Sequence, residues 1–271
     1  MSALKQILNR QHSWAESRGI ELDPPDYTAR LEDNLYSKLS ERTLEEYGGA
    51  AGQELADSRG GKPAKMRALE SSSALVLNVF EHLRLTNLKA IGAILNIAEP
   101  VAEVRFEATF PTGLQGTPPT LDVAVTGPSG HVCGVESKFC EPYRSKGKGD
   151  PFVASYFPDG PGLWEARGLP RCEQLARSLR DRTVTFEYLD APQLLKHALG
   201  LFNQDRPATL FYLWYEEGAE GQAHKQEIAT FASQIDRQLG FRFSSYQEAL
   251  HRLHGNSDSD HAAYLANRYF G

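Results

Sequence analysis

Gly127-Pro128-Ser129-Gly130 stands between two runs of strand-forming residues, Pro119-Thr120-Leu121-Asp122-Val123-Ala124-Val125 and Val132-Cys133-Gly134-Val135-Glu136-Ser137-Lys138-Phe139. Glycine and proline at those positions are turn chemistry, and the flanking runs are rich in valine. The two runs are therefore predicted to fold back on each other as a hairpin. With the turn centred near Ser129, Asp122 lies almost directly opposite Glu136. Side chains alternate along a strand, so Lys138 shares a face with Glu136. Two carboxylates and one ammonium converge on one small patch.

The neighbours of these charges are apolar. Val135 and Phe139 bracket Glu136 and Lys138, and Leu121, Val123 and Val125 bracket Asp122. Such runs read as central strands covered on both faces, where a charge is costly and needs a reason. Without one, Asp122 is an ordinary strand-edge residue and Glu136/Lys138 a solvated pair. The chemical reading is a site for a hard divalent cation. Mg²⁺ takes oxygen ligands and usually only one or two protein carboxylates. A lysine beside it can hold a water and stabilise developing charge.

Pro119, Asp122, Glu136 and Lys138 resemble the motif of the PD-(D/E)xK superfamily, the restriction-endonuclease-like phosphodiesterases. Thr120 and Leu121 separate the proline from the aspartate, a departure that leaves the chemical groups intact. The resemblance implies an α/β fold with an αβββαβ core, in which a mixed central sheet is flanked by helices. It implies Mg²⁺, with Mn²⁺ as a substitute, held by Asp122 and Glu136 with help from the Ser137 carbonyl, and Lys138 positioning or activating the attacking water. It implies DNA as substrate, without excluding RNA, and a role in defence, repair or mobile-element processing. It also admits a homodimer. A non-catalytic binding module with the same fold is the alternative.

Members of that superfamily often bring a further acid into the site. Glu107, on a predicted strand at 102–110, is the candidate, and a solvent-facing edge glutamate is its other reading; Glu81 is held in reserve. On that strand Val104, Phe106 and Ala108 are expected on one face and Arg105, Glu107 and Thr109 on the other. Several members also place a glutamine near the start of the following helix. Gln193, in a helix predicted over 190–199 with Asp190 as N-cap and Pro192 in the first turn, matches that position. His197 in the same helix has no spacing that favours a catalytic over a structural role.

The loop over 141–168 carries a basic cluster, Arg144, Lys146 and Lys148, that can meet backbone phosphates or simply be solvated. Tyr143, Tyr156, Phe157 and Trp164 offer stacking surfaces there. Lys196 and the arginines of a helix over 170–182 are further candidates for phosphate contact.

Elsewhere the pattern predicts helices over 4–18, 27–46, 74–83 (capped by Ser71-Ser72-Ser73), 88–97, 226–239 and 245–253, and a strand over 208–215. Glycine-rich punctuation near Gly48-Gly49 and Gly60-Gly61 divides a helical extension, 1–66, from a nuclease-like domain, 67–271. The extension suits an arm, a dimerisation element or a nucleic-acid clamp.

With 41% hydrophobic residues, 271 residues can bury a sizeable core. A net charge of −6 argues against a protein that coats nucleic acid over its whole surface, though not against a local basic groove. No apolar run is long enough to span a bilayer and no signal-peptide core follows Met1, so a cytoplasmic protein is expected. Cys133, Cys140 and Cys172 lack zinc-ligand spacing and read as buried thiols. Nucleophile-elbow, zincin and P-loop signatures are absent.

Overall fold

The predicted hairpin forms in the computed structural model of the chain, which describes residues 1–49, 54–58, 60–145, 149–204, 206–253 and 258–270. Strands β2 (Thr120–Thr126) and β3 (Val132–Lys138) pair antiparallel in the register Val123–Val135, Ala124–Gly134, Val125–Cys133. Gly130, at φ +82°, takes the left-handed turn position that a side chain would disfavour. Glu99 staples the turn by accepting from the Ser129 N–H and hydroxyl at 3.2 and 2.9 Å.

Among the described residues the sheet has five strands in the order β1-β2-β3-β4-β5, with β1 at Glu103–Thr109, β4 at Ala208–Trp214 and β5 at Arg242–Ser245. The first three strands are antiparallel; β3, β4 and β5 run parallel. Parallel pairing demands a crossover, and α5 (Pro170–Arg180) and α6 (Ala191–Leu201) supply it between β3 and β4. Helix α3 (Ser72–Thr86) precedes β1 and α4 (Leu88–Ile94) follows α3. The order α3-β1-β2-β3-α6-β4 is the αβββαβ core that the resemblance implied.

Both faces of the sheet are covered. One apolar cluster joins α3 and α4 to Val104, Phe106, Val123, Val135 and Phe139. Ile7 and Trp14 of α1 (Ala3–Ser17) and Tyr47 of α2 (Glu41–Gly48) enter the same cluster, as do Tyr246 of α8 (Tyr246–His251) and Leu265 of α9 (Ser259–Leu265). The second cluster sets α5, α6 and α7 (Gly218–Gln234) against Leu121, Ala124, Leu210 and Trp214. Every residue of β4 is buried, as expected of a central parallel strand. No helix of the described residues is long and apolar enough to cross a membrane.

Ser71 caps α3 by accepting from Ala74 N at 3.1 Å, and Asp190 caps α6 by accepting from Gln193 N at 3.0 Å, both as the sequence predicts. The helix expected over 27–46 is instead a single 3₁₀ turn (Leu31–Asn34) followed by α2. Its polar groups are bonded elsewhere. Thr28 N donates to Arg67 O at 2.9 Å, and the Asn34 side-chain Nδ2 donates to the Met66 and Ala68 carbonyls at 2.7 and 2.9 Å. A helix can begin only at Ser40, whose hydroxyl accepts from Thr43 N at 3.2 Å.

Helix α7 starts well before the expected 226. Its buried stripe is Gly221, His224, Ile228 and Phe231, and the first two positions carry no apolar signal. Helix α9, which no apolar period announced, starts at its N-cap Asp258, which accepts from His261 N at 2.7 Å.

Two aromatic residues after β3 are packed into the core. Trp164 is fully buried and its indole N–H donates to Leu195 O at 2.8 Å. The Tyr143 hydroxyl donates to Tyr215 O at 2.5 Å. These two rings are therefore core, not stacking surfaces.

Candidate active site

Asp122 and Glu136 fall one step beyond the Val123–Val135 pair, so they face each other across β2 and β3 as the turn predicted. They sit where β2 begins and β3 ends. Asp122 Oδ2 accepts from Ser137 N at 2.7 Å, so its side chain takes over the ladder contact that the β2 backbone no longer makes. Lys138 C=O accepts from Tyr215 N at 2.8 Å, on the β4 side of the strand. Successive carbonyls alternate, which turns the Ser137 C=O toward the β2 side and Asp122. The Ser137 hydroxyl lies 2.7 Å from the Tyr246 hydroxyl on the opposite face.

Glu136 is 2% exposed. Its Oε1 accepts from Lys138 Nζ at 2.5 Å, and its Oε2 lies 2.9 Å from Nε2 of His197 on α6. Burial alone would push this carboxyl up, but Lys138 and His197 outweigh it and hold Glu136 down to about 2. Burial likewise disfavours the charged ammonium of Lys138, yet Glu136, Glu141 and Asp122 together raise it. Asp122 is pushed well above the usual carboxylate range, first by burial and then by the charge of Glu136.

Glu107 occupies β1 at φ +47°, an uncommon left-handed conformation for glutamate. The expected alternation breaks there. Val104 and Phe106 enter one apolar cluster, while Ala108 and its partner Leu121 enter the other. Burial and the nearby charges of Glu54 and Glu136 raise the Glu107 carboxyl to about 7.

Glu54 was not foreseen. It lies far from the motif in sequence, in a polar stretch with no period. Its carboxylate lies 3.2 Å from Lys65 Nζ and accepts from the Ser73 hydroxyl, in the first turn of α3, at 3.3 Å. The sequence assigns His197 no role, and the one signal it carries is the i+4 spacing from Gln193, which puts both on one face of α6.

Other candidates stand elsewhere. Glu81 is buried and held by Ser40 N, the Thr43 hydroxyl at 2.6 Å and Arg84 at 2.8 Å, partners that account for it away from Asp122 and Glu136. Arg144 pairs with Glu70, and Lys196 Nζ rests 5.3 and 5.6 Å over the rings of Phe152 and Tyr156. Lys146 and Lys148 lie outside the described residues.

The donor set fits a hard divalent cation. Asp122 and Glu136 offer carboxylate oxygen; burial and then the charges of Glu136 and Glu107 raise Asp122, and a cation would relieve the repulsion among them. Among the described residues no three His, Cys, Asp or Glu side chains are grouped so that they could hold a metal ion, so protein oxygen here comes from two carboxylates at most.

The site has an expected pH signature. Glu107, raised from 4.5 to about 7, binds a proton in the folded chain that the unfolded chain releases. Its contribution is complete below about 4.5 and is lost as pH rises through about 7, an effect of order 2 kcal/mol after allowing for partial exposure. Glu136 has the opposite sign: its contribution is present above about 4.5 and lost as pH falls through about 2. In EDTA, melting temperature should fall between pH 5 and pH 8 for the first reason. Mg²⁺ requires deprotonated ligands, so its stabilisation should be larger at pH 8 than at pH 6. Thermal unfolding at the two pH values, with and without Mg²⁺, checks both statements.

No curated protein and no solved structure matches this chain. A family described as Restriction Endonuclease associating with ARP does match, over residues 8–270, nearly the full length and including every strand of the sheet and all of the acidic site. The chain therefore belongs to this restriction-endonuclease family.

Proposed function

We propose that the protein is a Mg²⁺-dependent nuclease that hydrolyses phosphodiester bonds in DNA, with Mn²⁺ able to substitute. The observation that carries this reading is the meeting of Asp122, Glu136 and Lys138 at the joined ends of β2 and β3, with Lys138 Nζ 2.5 Å from Glu136. The family description, which names restriction endonucleases, supports DNA as the substrate. It also names ARP as what members associate with, and such an association belongs to the same reading.

Asp122 and Glu136 would hold the metal with the Ser137 carbonyl, and Glu107 would complete the acidic rim. When bound, the metal acidifies a water and neutralises charge on the phosphodiester. Lys138 directs its ammonium at the same spot and stabilises charge as it develops on the phosphate oxygens. Gln193, one turn ahead of His197 on α6, offers an amide to a phosphate oxygen or to the attacking water. Arg144, Lys146, Lys148 and Lys196 are the basic groups proposed to follow the nucleic-acid backbone.

The test is metal-dependent stabilisation. Ligand present at about 100 times its Kd adds about 2.7 kcal/mol to stability. Mg²⁺ or Mn²⁺ should raise the melting temperature of the wild type and leave that of Asp122→Ala unmoved. An equal shift in both would remove the metal from this site. Parallel incubation with DNA and RNA oligonucleotides separates the two substrates.

A further inference from the structure

The inner face of α6 is apolar apart from one residue. Leu194, Leu195, Ala198 and Leu201 are buried against the sheet, and His197 is buried among them at 2% exposed. A buried imidazole loses the water bonds of both ring nitrogens and needs partners to offset that cost. Here neither nitrogen makes an aligned hydrogen bond, and Nδ1 has no polar partner in the described structure. The compensation visible at this position is the 2.9 Å approach of Nε2 to Glu136 Oε2. A leucine would fill similar space without any polar cost, so packing alone does not account for a histidine.

The two groups that hold Glu136 differ in what they can fix. Lys138 carries its charge on a flexible stem and reaches Oε1 from the same strand. His197 is a rigid ring on a packed helix that reaches Oε2 from the layer above. The lysine brings charge on a mobile stem; the histidine brings a ring whose place is fixed by the helix that carries it.

We propose that His197 is a positioning residue for Glu136, setting the orientation in which that carboxylate meets a divalent cation. This rests on Asp122 and Glu136 being the metal site. Groups that orient metal ligands typically cost about 10–100-fold in metal affinity when removed. In this role the effect of His197 passes through Glu136.

The test is calorimetric titration of the full chain with Mn²⁺, which reads the site without relying on cleavage. His197→Leu should weaken Mn²⁺ binding by about 10–100-fold. The amide of His197→Gln reaches roughly where imidazole Nε2 lies, so this variant should bind near the wild-type level. The shorter His197→Asn places its amide near Nδ1 and should behave like the leucine variant. A residue needed only for packing predicts the reverse order, with leucine binding as well as wild type. Equal affinity of the Gln and Leu variants overturns the proposal. If the Leu variant fails to fold, equal affinity of Gln and Asn overturns it instead. Absence of Mn²⁺ binding by the wild type overturns both this proposal and the metal-site reading. Wild-type binding with no difference among the variants overturns this proposal alone.

Discussion

Lys138→Met is expected to lower phosphodiester cleavage by about 10²–10⁴-fold, the range in which a positioned proton-transfer or charge-stabilising group contributes. The methionine keeps the length and apolar stem of lysine and removes only the charge. The same change should also destabilise the fold by about 3–5 kcal/mol, because Glu136 is buried and loses its 2.5 Å partner, leaving His197 alone beside it. These two losses separate in the double variant Glu136→Gln/Lys138→Met. Replacing both partners of a buried pair is close to neutral for stability, so the double variant should regain most of the fold energy and none of the activity. Urea unfolding together with single-turnover cleavage measures both. Wild-type cleavage by a folded Lys138→Met protein would remove the lysine from the chemistry.

Gly200→Ala should cost about 2–4 kcal/mol, from the upper part of the usual range for overpacking to somewhat beyond it. Helix propensity alone would favour alanine by about 1 kcal/mol, so the sign is decided by space. A Cβ at Gly200 would stand 2.3 Å from the Phe110 carbonyl oxygen and 3.1 Å from the Phe110 Cβ. The obstacle is backbone, anchored by the bond from Phe110 N to Pro119 O at 3.0 Å, and it cannot rotate away. Gly134 makes the contrast. A Cβ there would meet Leu121 Cδ1 at 2.4 Å, but that is a side-chain end that can turn aside, so Gly134→Ala should cost less. Helix α6 carries Gln193 and His197, so pushing it away from Phe110 should also weaken metal binding at Glu136. Chemical denaturation of the two glycine variants gives the comparison, and a Gly200→Ala protein as stable as wild type would contradict it.

Much of the centre was legible because it is local. The turn at Gly127–Gly130 and the period of two in its flanking runs set the register that puts Asp122 across from Glu136, and the structure has that register. Asp190 and Pro192 announced α6, and Ser71 announced α3, for reasons confined to a helical turn. The misses have a shared cause. At 27–46, apolar spacing suggested a helix, but the polar groups of Thr28 and Asn34 bond to residues some thirty to forty positions away. Glu107 breaks the alternation of its strand through one backbone angle that no residue pattern encodes. Glu54 acts on Glu107 by its charge and is held by Ser73 and Lys65, contacts made only once the chain is folded. His197 sat in plain view in the sequence, yet its contact with Glu136 depends on how α6 is laid across the sheet.

Whether Asp122, Glu136 and Lys138 form a metal-dependent nuclease centre is read by incubating the protein with supercoiled plasmid and with linear DNA in Mg²⁺, in Mn²⁺ and in EDTA, beside Asp122→Asn. Nicking or degradation is expected in either metal, none in EDTA, and none by the variant. Wild-type protein that leaves both DNA forms intact in both metals, or cleaves them equally in EDTA, would contradict that assignment.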